Sequence, residues 1–163
     1  MRADLIYAED EMKKIAVIIL SSLVLAGCHK PAASAVFQIC LVVKNPSIDS
    51  VEMAVTNNDF INTLQVQKTP LLDATSVESA YVTHDVPNRP WVGITFTAAG
   101  AKQFAEITRQ HIGDQLAIVV DGKLLSAPII RAEISDGKAD IAGNFTEAEA
   151  KALAKRINDA VKK

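Results

Sequence analysis

The chain lacks an excess of charge of either sign: 17 Lys and Arg stand against 19 Asp and Glu, for a formal net charge of −2 over 163 residues. Without a basic footprint, nucleic-acid binding is excluded as a starting point. Cysteine occurs only at Cys28 and Cys40, so no disulfide framework is available. Histidine is confined to His29, His84 and His111, with no second ligand at metal spacing such as HxxxH or CxxC. There is no GxSxG and no phosphate loop. No hydrophobic run approaches the ~20 residues of a spanning helix. The densest, residues 15–27 (IAVIILSSLVLAG), has thirteen. What is present is apolar bulk: 49% of residues are hydrophobic and 22% charged, too hydrophobic a balance for disorder.

That short apolar run fits the h-region of a secretory signal, with Lys13 and Lys14 before it and Leu25, Ala26, Gly27 and Cys28 after it. The arrangement resembles a bacterial lipoprotein signal with its lipobox, here LAGC. The resemblance implies acylation of Cys28 and cleavage between Gly27 and Cys28; a plain secretory signal with an incidental cysteine is the alternative. Two or three acyl chains, at about 0.8 kcal/mol per buried CH₂, anchor firmly where one does so only marginally. His29 stands where Asp is the usual inner-membrane retention signal, which favours the outer membrane in a host that has two. Asp4, Glu9, Asp10 and Glu11 do not suit a signal's n-region, so translation is expected to begin at Met12, with residues 1–11 a start-site artefact.

Beyond residue 27 remain 136 residues with 14 Lys and Arg and 15 Asp and Glu, a net charge of −1. A domain of that size buries roughly two-thirds of its unfolded surface and needs neither disulfide nor metal. Residues 31–35 (PAASA) form a tether reaching only some 15–25 Å. In residues 36–43 (VFQICLVV), strand periodicity sends Phe37, Ile39, Leu41 and Val43 one way and Gln38, Cys40 and Val42 the other. Cys40 reads as a buried, inert thiol; an intermolecular disulfide, a redox role or a thiol nucleophile with a distant His is the alternative.

Val51, Met53 and Val55 alternate as a strand, residues 57–59 (NND) read as a turn, and Leu64, Val66 and Leu71 suggest another strand. Asp73 or Thr75 could cap a short helix through Ser79, with a strand at 81–85 and a loop at 87–90 (PNRP). Val92, Ile94 and Phe96 alternate with Gly93 and Thr95, after which Thr97 caps a helix to Ile112. Its apolar face would carry Ala101, Phe104, Ala105, Thr108 and Ile112, and Gly113 would stop it. Residues 116–120 (LAIVV), Asp121-Gly122 and Leu124-Leu125 predict a hairpin with a type I′ turn. Asp136-Gly137 similarly separates Ile134 from residues 139–141. Pro128 implies that 123–130 is interrupted, bulged or at a sheet edge. Thr146 and Glu149 form a capping box before a helix with Ala150, Leu153, Ala154, Ile157 and Val161 on its apolar stripe. The fold class is α+β: a mostly antiparallel sheet with two amphipathic helices packed on one face.

Three segments then carry a family resemblance: VGITFTAAGAKQFAEIT (92–108), IGDQLAIVVDGKLLSAPII (112–130) and IAGNFTEAEAKALAKRIN (141–158). In this order they resemble the head subdomain of the first periplasmic domain of SecD, the accessory subunit of the bacterial Sec translocase. The match runs from about Thr69 to Asn158, and the looser 64–82 region also fits. The resemblance implies a domain on the trans side of the membrane that contacts emerging polypeptide. In SecD, transmembrane helices couple its movements to the proton gradient; no such helices are recognised in this sequence.

The expected organisation is a signal at 1–27 (12–27 after the start-site correction), a lipid-anchored tether at 28–36, N-terminal strands at 37–68 and a SecD head-like domain at 69–163. No catalytic residue, cofactor or metal site is expected. Asp136, Asp140, Glu147 and Glu149 cluster near a helix start, where local stabilisation explains them without calcium. The candidate binding segment is Lys123, Leu124, Leu125, Ser126, Ala127 and Pro128, an edge that could pair with an extended peptide through main-chain hydrogen bonds. The expected function is a non-enzymatic, lipid-anchored extracytoplasmic protein whose partners are the membrane, through Cys28, and exported polypeptide or a Sec component. The alternative is a stand-alone structural or self-associating envelope lipoprotein with no export role.

Overall fold

The computed structural model describes residues 36–57, 60–85 and 88–162. The chain divides into two units, Met1–Lys30, outside the described residues, and Pro31–Lys163, to which everything below belongs. Cys28, the signal and the tether fall outside the described residues.

Among the described residues, nine strands and two α-helices follow one another as β1 (Phe37–Val43), β2 (Ser50–Asn57), β3 (Phe60–Gln67), β4 (Leu72–Asp73), β5 (Val77–His84), β6 (Pro90–Phe96), α1 (Ala98–Gln110), β7 (Leu116–Val120), β8 (Lys123–Ser126), β9 (Lys138–Ile141) and α2 (Glu147–Val161). All strand pairings are antiparallel, and the class is α+β. The strands divide between two sheets. One has the order β2-β3-β1-β7-β8, with β4 also on β1; the other has the order β5-β6-β9.

The alternation in β1 explains how two cores form. Phe37 and Ile39 join a large cluster with Val92, Ile94, Phe96, Phe104, Leu116, Ile118, Ile141, Leu153 and Ile157. From the opposite face, Cys40 joins Val66, Ala117, Val119 and Leu124, with Val42, Met53, Val55 and Leu64 packed around them. β7 lies between the two, so every residue of LAIVV is buried and the strand has no polar face.

Both helices begin as their caps dictate. The Thr97 hydroxyl accepts from the Gly100 N–H, and Thr146 and Glu149 complete a capping box. In α2 the buried residues are Ala150, Leu153, Ala154, Ile157 and Ala160, with Val161 packed at the margin. In α1 the buried face is Gly100, Phe104 and Thr108, with Ala101 and Ile107 beside it. The Phe104 ring lies 4.7 Å from that of Phe96.

Three local expectations change. α1 stops at Gln110, and Ile112 is 57% exposed beyond it, because the chain has already turned at His111 toward Gly113 at φ 92°. The helix expected through Ser79 is a 3₁₀ turn, Ala74–Ser76, capped by the Asp73 carboxylate. It ends there because Val77 and Ala80 are buried strand residues paired with Phe96 and Ile94. Ile134 belongs to no strand, and β9 pairs with β6 across the sequence, so Asp136-Gly137 turns the chain into that distant ladder and closes no hairpin.

Candidate functional site

The hairpin carrying the candidate segment is set by its turn. Asp121 and Gly122 have φ of 49° and 72°, the two positive values of a type I′ connection. Arg156 of α2 ties the turn down, its Nη1 3.3 Å from an Asp121 carboxylate oxygen. Beyond the turn, side chains alternate: Lys123 is exposed, Leu124 fills the smaller core, and Leu125 packs against the larger one. The ladder to β7 carries a register shift between Ile118 and Val119 and stops at Ser126, two residues before Pro128. Residues 127–130 are held instead against the 113–116 segment. The Gln115 side-chain amide donates to the Ala127 carbonyl at 3.1 Å, and the Leu116 N–H donates to the Pro128 carbonyl at 3.0 Å. Gly113 and Ile130 close this contact with an N–H···O bond of 2.9 Å.

β8 is a terminal strand of its sheet, and β2 is the other terminus. The sheet curls enough that Cα atoms of β2 and β8 come within 8 Å, yet no hydrogen-bonded ladder joins them. Along this seam runs a cleft of about 940 Å³, lined by Cys40, Met53, Val66, Val119, Leu124 and Phe145, with Glu52, Lys68 and Lys123 also on its walls. A second cleft of about 550 Å³ lies alongside Leu125, Ser126, Ala127 and Pro128, with Val55, Leu64, Gln115 and the single tryptophan, Trp91. The six residues from Lys123 to Pro128 therefore line two adjoining clefts. A third, mostly apolar cavity of about 380 Å³ is lined by Phe104, Ile118, Pro128, Ile129, Ile130 and Ile134. The buried Thr108 hydroxyl accepts from the Ile134 N–H at 2.9 Å while lying within hydrogen-bonding distance of the Phe104 carbonyl.

β5 ends the other sheet and is guarded. The Asn158 side chain lies along it like a short strand: its carbonyl accepts from the Ala80 N–H and its amide donates to the Ala80 C=O, both at 2.8 Å. Such a plug blunts an edge that could otherwise recruit another chain. β8 is bounded by the open seam instead. Neither Asn158 nor the approach of β2 to β8 was visible in the sequence. A lone Asn on a helix carries no sign of the strand it will meet, and strand proximity carries no local pattern.

Of the remaining titratable candidates, His84, His111, Asp136, Glu147 and Glu149 have local partners. Burial pushes the Cys40 thiol up to about 11, which keeps it protonated although it borders the larger cleft. His84 Nε2 is 3.0 Å from Glu147, and His111 Nδ1 is 3.1 Å from Asp114. The Glu147 carboxyl is held below its ordinary range by hydrogen bonds from Lys151 and then His84; that of Glu149 is lowered by the Thr146 N–H and hydroxyl. Asp136 accepts from the Lys138 N–H at 3.1 Å. Among the described residues no group of three or more His, Cys, Asp or Glu could hold a metal ion, and no helix is long and apolar enough to cross a membrane.

Comparison with known proteins agrees with the resemblance of the three segments. The family model of the SecDF P1 head subdomain matches residues 51–160. The protein translocase subunit SecD of Sebaldella termitidis is 46% identical over 84 residues, 52% of this chain and 21% of its own length. The translocase subunit SecDF of Thermus thermophilus is 37% identical over 117 residues, 66% of this chain and 16% of its own. A solved structure of a membrane component SecDF that enhances protein export superposes with a TM-score of 0.61 at 32% identity, covering 76% of this chain and 62% of that one. This chain thus spans only about a fifth of the length of the curated relatives it matches.

Proposed function

We propose, because the chain belongs to the family of SecDF P1 head subdomains, that it serves protein export as a head module in the cell envelope, facing the periplasm, and binds polypeptide in extended form. The observation that carries this reading is β8: a terminal strand beside a cleft floored by apolar side chains, where a passing chain finds main-chain hydrogen-bonding groups and apolar contacts together. Strand addition suits such a task, since main-chain bonds supply affinity without demanding a particular sequence. The names of the translocase relatives support the export setting. A non-enzymatic role is consistent with a site made of main-chain groups and apolar surface.

Acylation of Cys28 would hold the module at the membrane, and the tether of residues 31–35 would keep it within some 15–25 Å of the surface. Labelled palmitate should enter the intact chain and fail to enter Cys28→Ser; equal labelling of both overturns the anchor. Binding is tested by placing a photocrosslinking amino acid at Lys123 or Ser126 in living cells. Capture of an exported polypeptide or a Sec component is expected. Capture of further copies of the chain alone would favour a self-associating envelope lipoprotein, and no capture above background overturns the export reading.

A further inference from the structure

The curled sheet has an odd number of strands along its path, and that parity has a consequence. Each step of the order β2-β3-β1-β7-β8 is antiparallel. Strand direction therefore alternates, and the two terminal strands, β2 and β8, run the same way. Where the sheet curls back on itself, two parallel edges meet, and they remain unpaired although their Cα atoms come within 8 Å. One more strand, running opposite to both, would complete an alternating six-stranded barrel and satisfy both edges at once.

Resting on the polypeptide-binding reading above, we infer that the occupant of this seam is a single extended polypeptide segment inserted between β8 and β2, antiparallel to both. The chemistry of the cleft specifies its side chains. Alternate residues would point inward onto Cys40, Met53, Val66, Val119 and Leu124 and should be apolar, while the others face solvent and can be polar. β8 has four residues, which limits the ladder on that side to about four or five. Neighbouring strands lie about 4.8 Å apart, so a guest between two strands needs about 10 Å. The β2–β3 hairpin must therefore swing outward by about 2 Å or more. Its attachment permits this: eight register pairs bind β2 to β3, but only Val42↔Val66 and Val43↔Gln65 join the hairpin to β1.

A guest inside the seam uses all its amides, alternately toward one neighbour and the other, whereas a guest added to β8 alone uses every second one. The test takes the full chain in detergent and an end-capped octapeptide in which valine and threonine alternate between terminal lysines. Two further versions are N-methylated, one on the valine amides and one on the threonine amides. Insertion predicts that each methylated version binds at least tenfold more weakly than the parent. A spin label at the peptide N-terminus should broaden the amides of Ser126 and Val55, and one at its C-terminus those of Lys123 and Val51. Loss of affinity with only one methylated version means addition to a single edge, which overturns the insertion and leaves the proposed function standing. Reversed broadening, or broadening on β5 or β9, also overturns it. If the parent peptide does not bind at all, both readings fall.

Discussion

Replacing Gly100 by alanine sets two opposed terms against each other. In the first turn of α1, the exchange gains up to about 1 kcal/mol of helix propensity. A Cβ built there would lie 2.3 Å from the Ser76 carbonyl oxygen, with the Ser76 Cβ at 3.0 Å and its carbonyl carbon at 3.1 Å. Reaching even a 3.0 Å contact requires the backbone to part by about 0.7 Å. The obstacle is main chain, so no rotamer change relieves it. The same carbonyl accepts the Thr97 N–H at 2.9 Å, so moving it also weakens the entry to the helix. Overpacking at a fixed site costs about 1–3 kcal/mol and a strained hydrogen bond about 1 kcal/mol more. The net expectation is a loss of about 1–3 kcal/mol. With a urea slope of roughly 1–3 kcal/mol/M, the midpoint followed by far-ultraviolet circular dichroism should fall by about 1 M. Ala99→Gly, at an exposed neighbour in the same turn, reports propensity alone and should cost no more than about 1 kcal/mol. An unchanged or raised midpoint for Gly100→Ala would refute the close approach of helix and 3₁₀ turn.

Asn158→Ala removes two hydrogen bonds from the β5 edge and should cost about 2 kcal/mol, with faster amide exchange at Ala80; Asn158→Asp, which keeps only the acceptor, should fall between. Cys40, its thiol raised to about 11, should react with a disulfide reagent at pH 8 on the order of a hundredfold more slowly in the folded chain than in urea; equal rates would place it in solvent. For Glu149 the folded carboxyl lies below its ordinary 4.5, so its stabilisation is present above that value and is lost as pH falls through the folded value. The stability advantage of the parent over Glu149→Gln should therefore be greatest near pH 6 and shrink in acid, and an advantage that grows on acidification would contradict the capping geometry.

Local pattern reached furthest where one side chain's environment is decided by its neighbours in sequence. The Thr146–Glu149 box, the Thr97 cap, the Asp121-Gly122 turn and the alternation of Phe37, Ile39 and Cys40 all appear as read. Pro128 was legible as an edge marker, and the ladder stops two residues before it. Ile112 was misread because periodicity continues past the point where the helix ends. The candidate segment was legible as an edge, whereas the clefts it lines were not, since their other walls come from residues distant in sequence, among them Cys40, Met53, Val55, Leu64, Trp91 and Asn144.

Both helices and their caps, most of the strands, the turn at Asp121-Gly122 and the family likeness were legible in the residue order, because each depends on residues within a few positions or on matched order along the chain. The division into two sheets and two cores, the guarding of β5 by Asn158, and the parallel meeting of β2 and β8 across an unpaired seam arise only from long-range packing. Side-chain period tells a strand which face to bury. It carries no information about which distant edge will lie beside it, and the parity that leaves the seam open exists only once all five strands are in place.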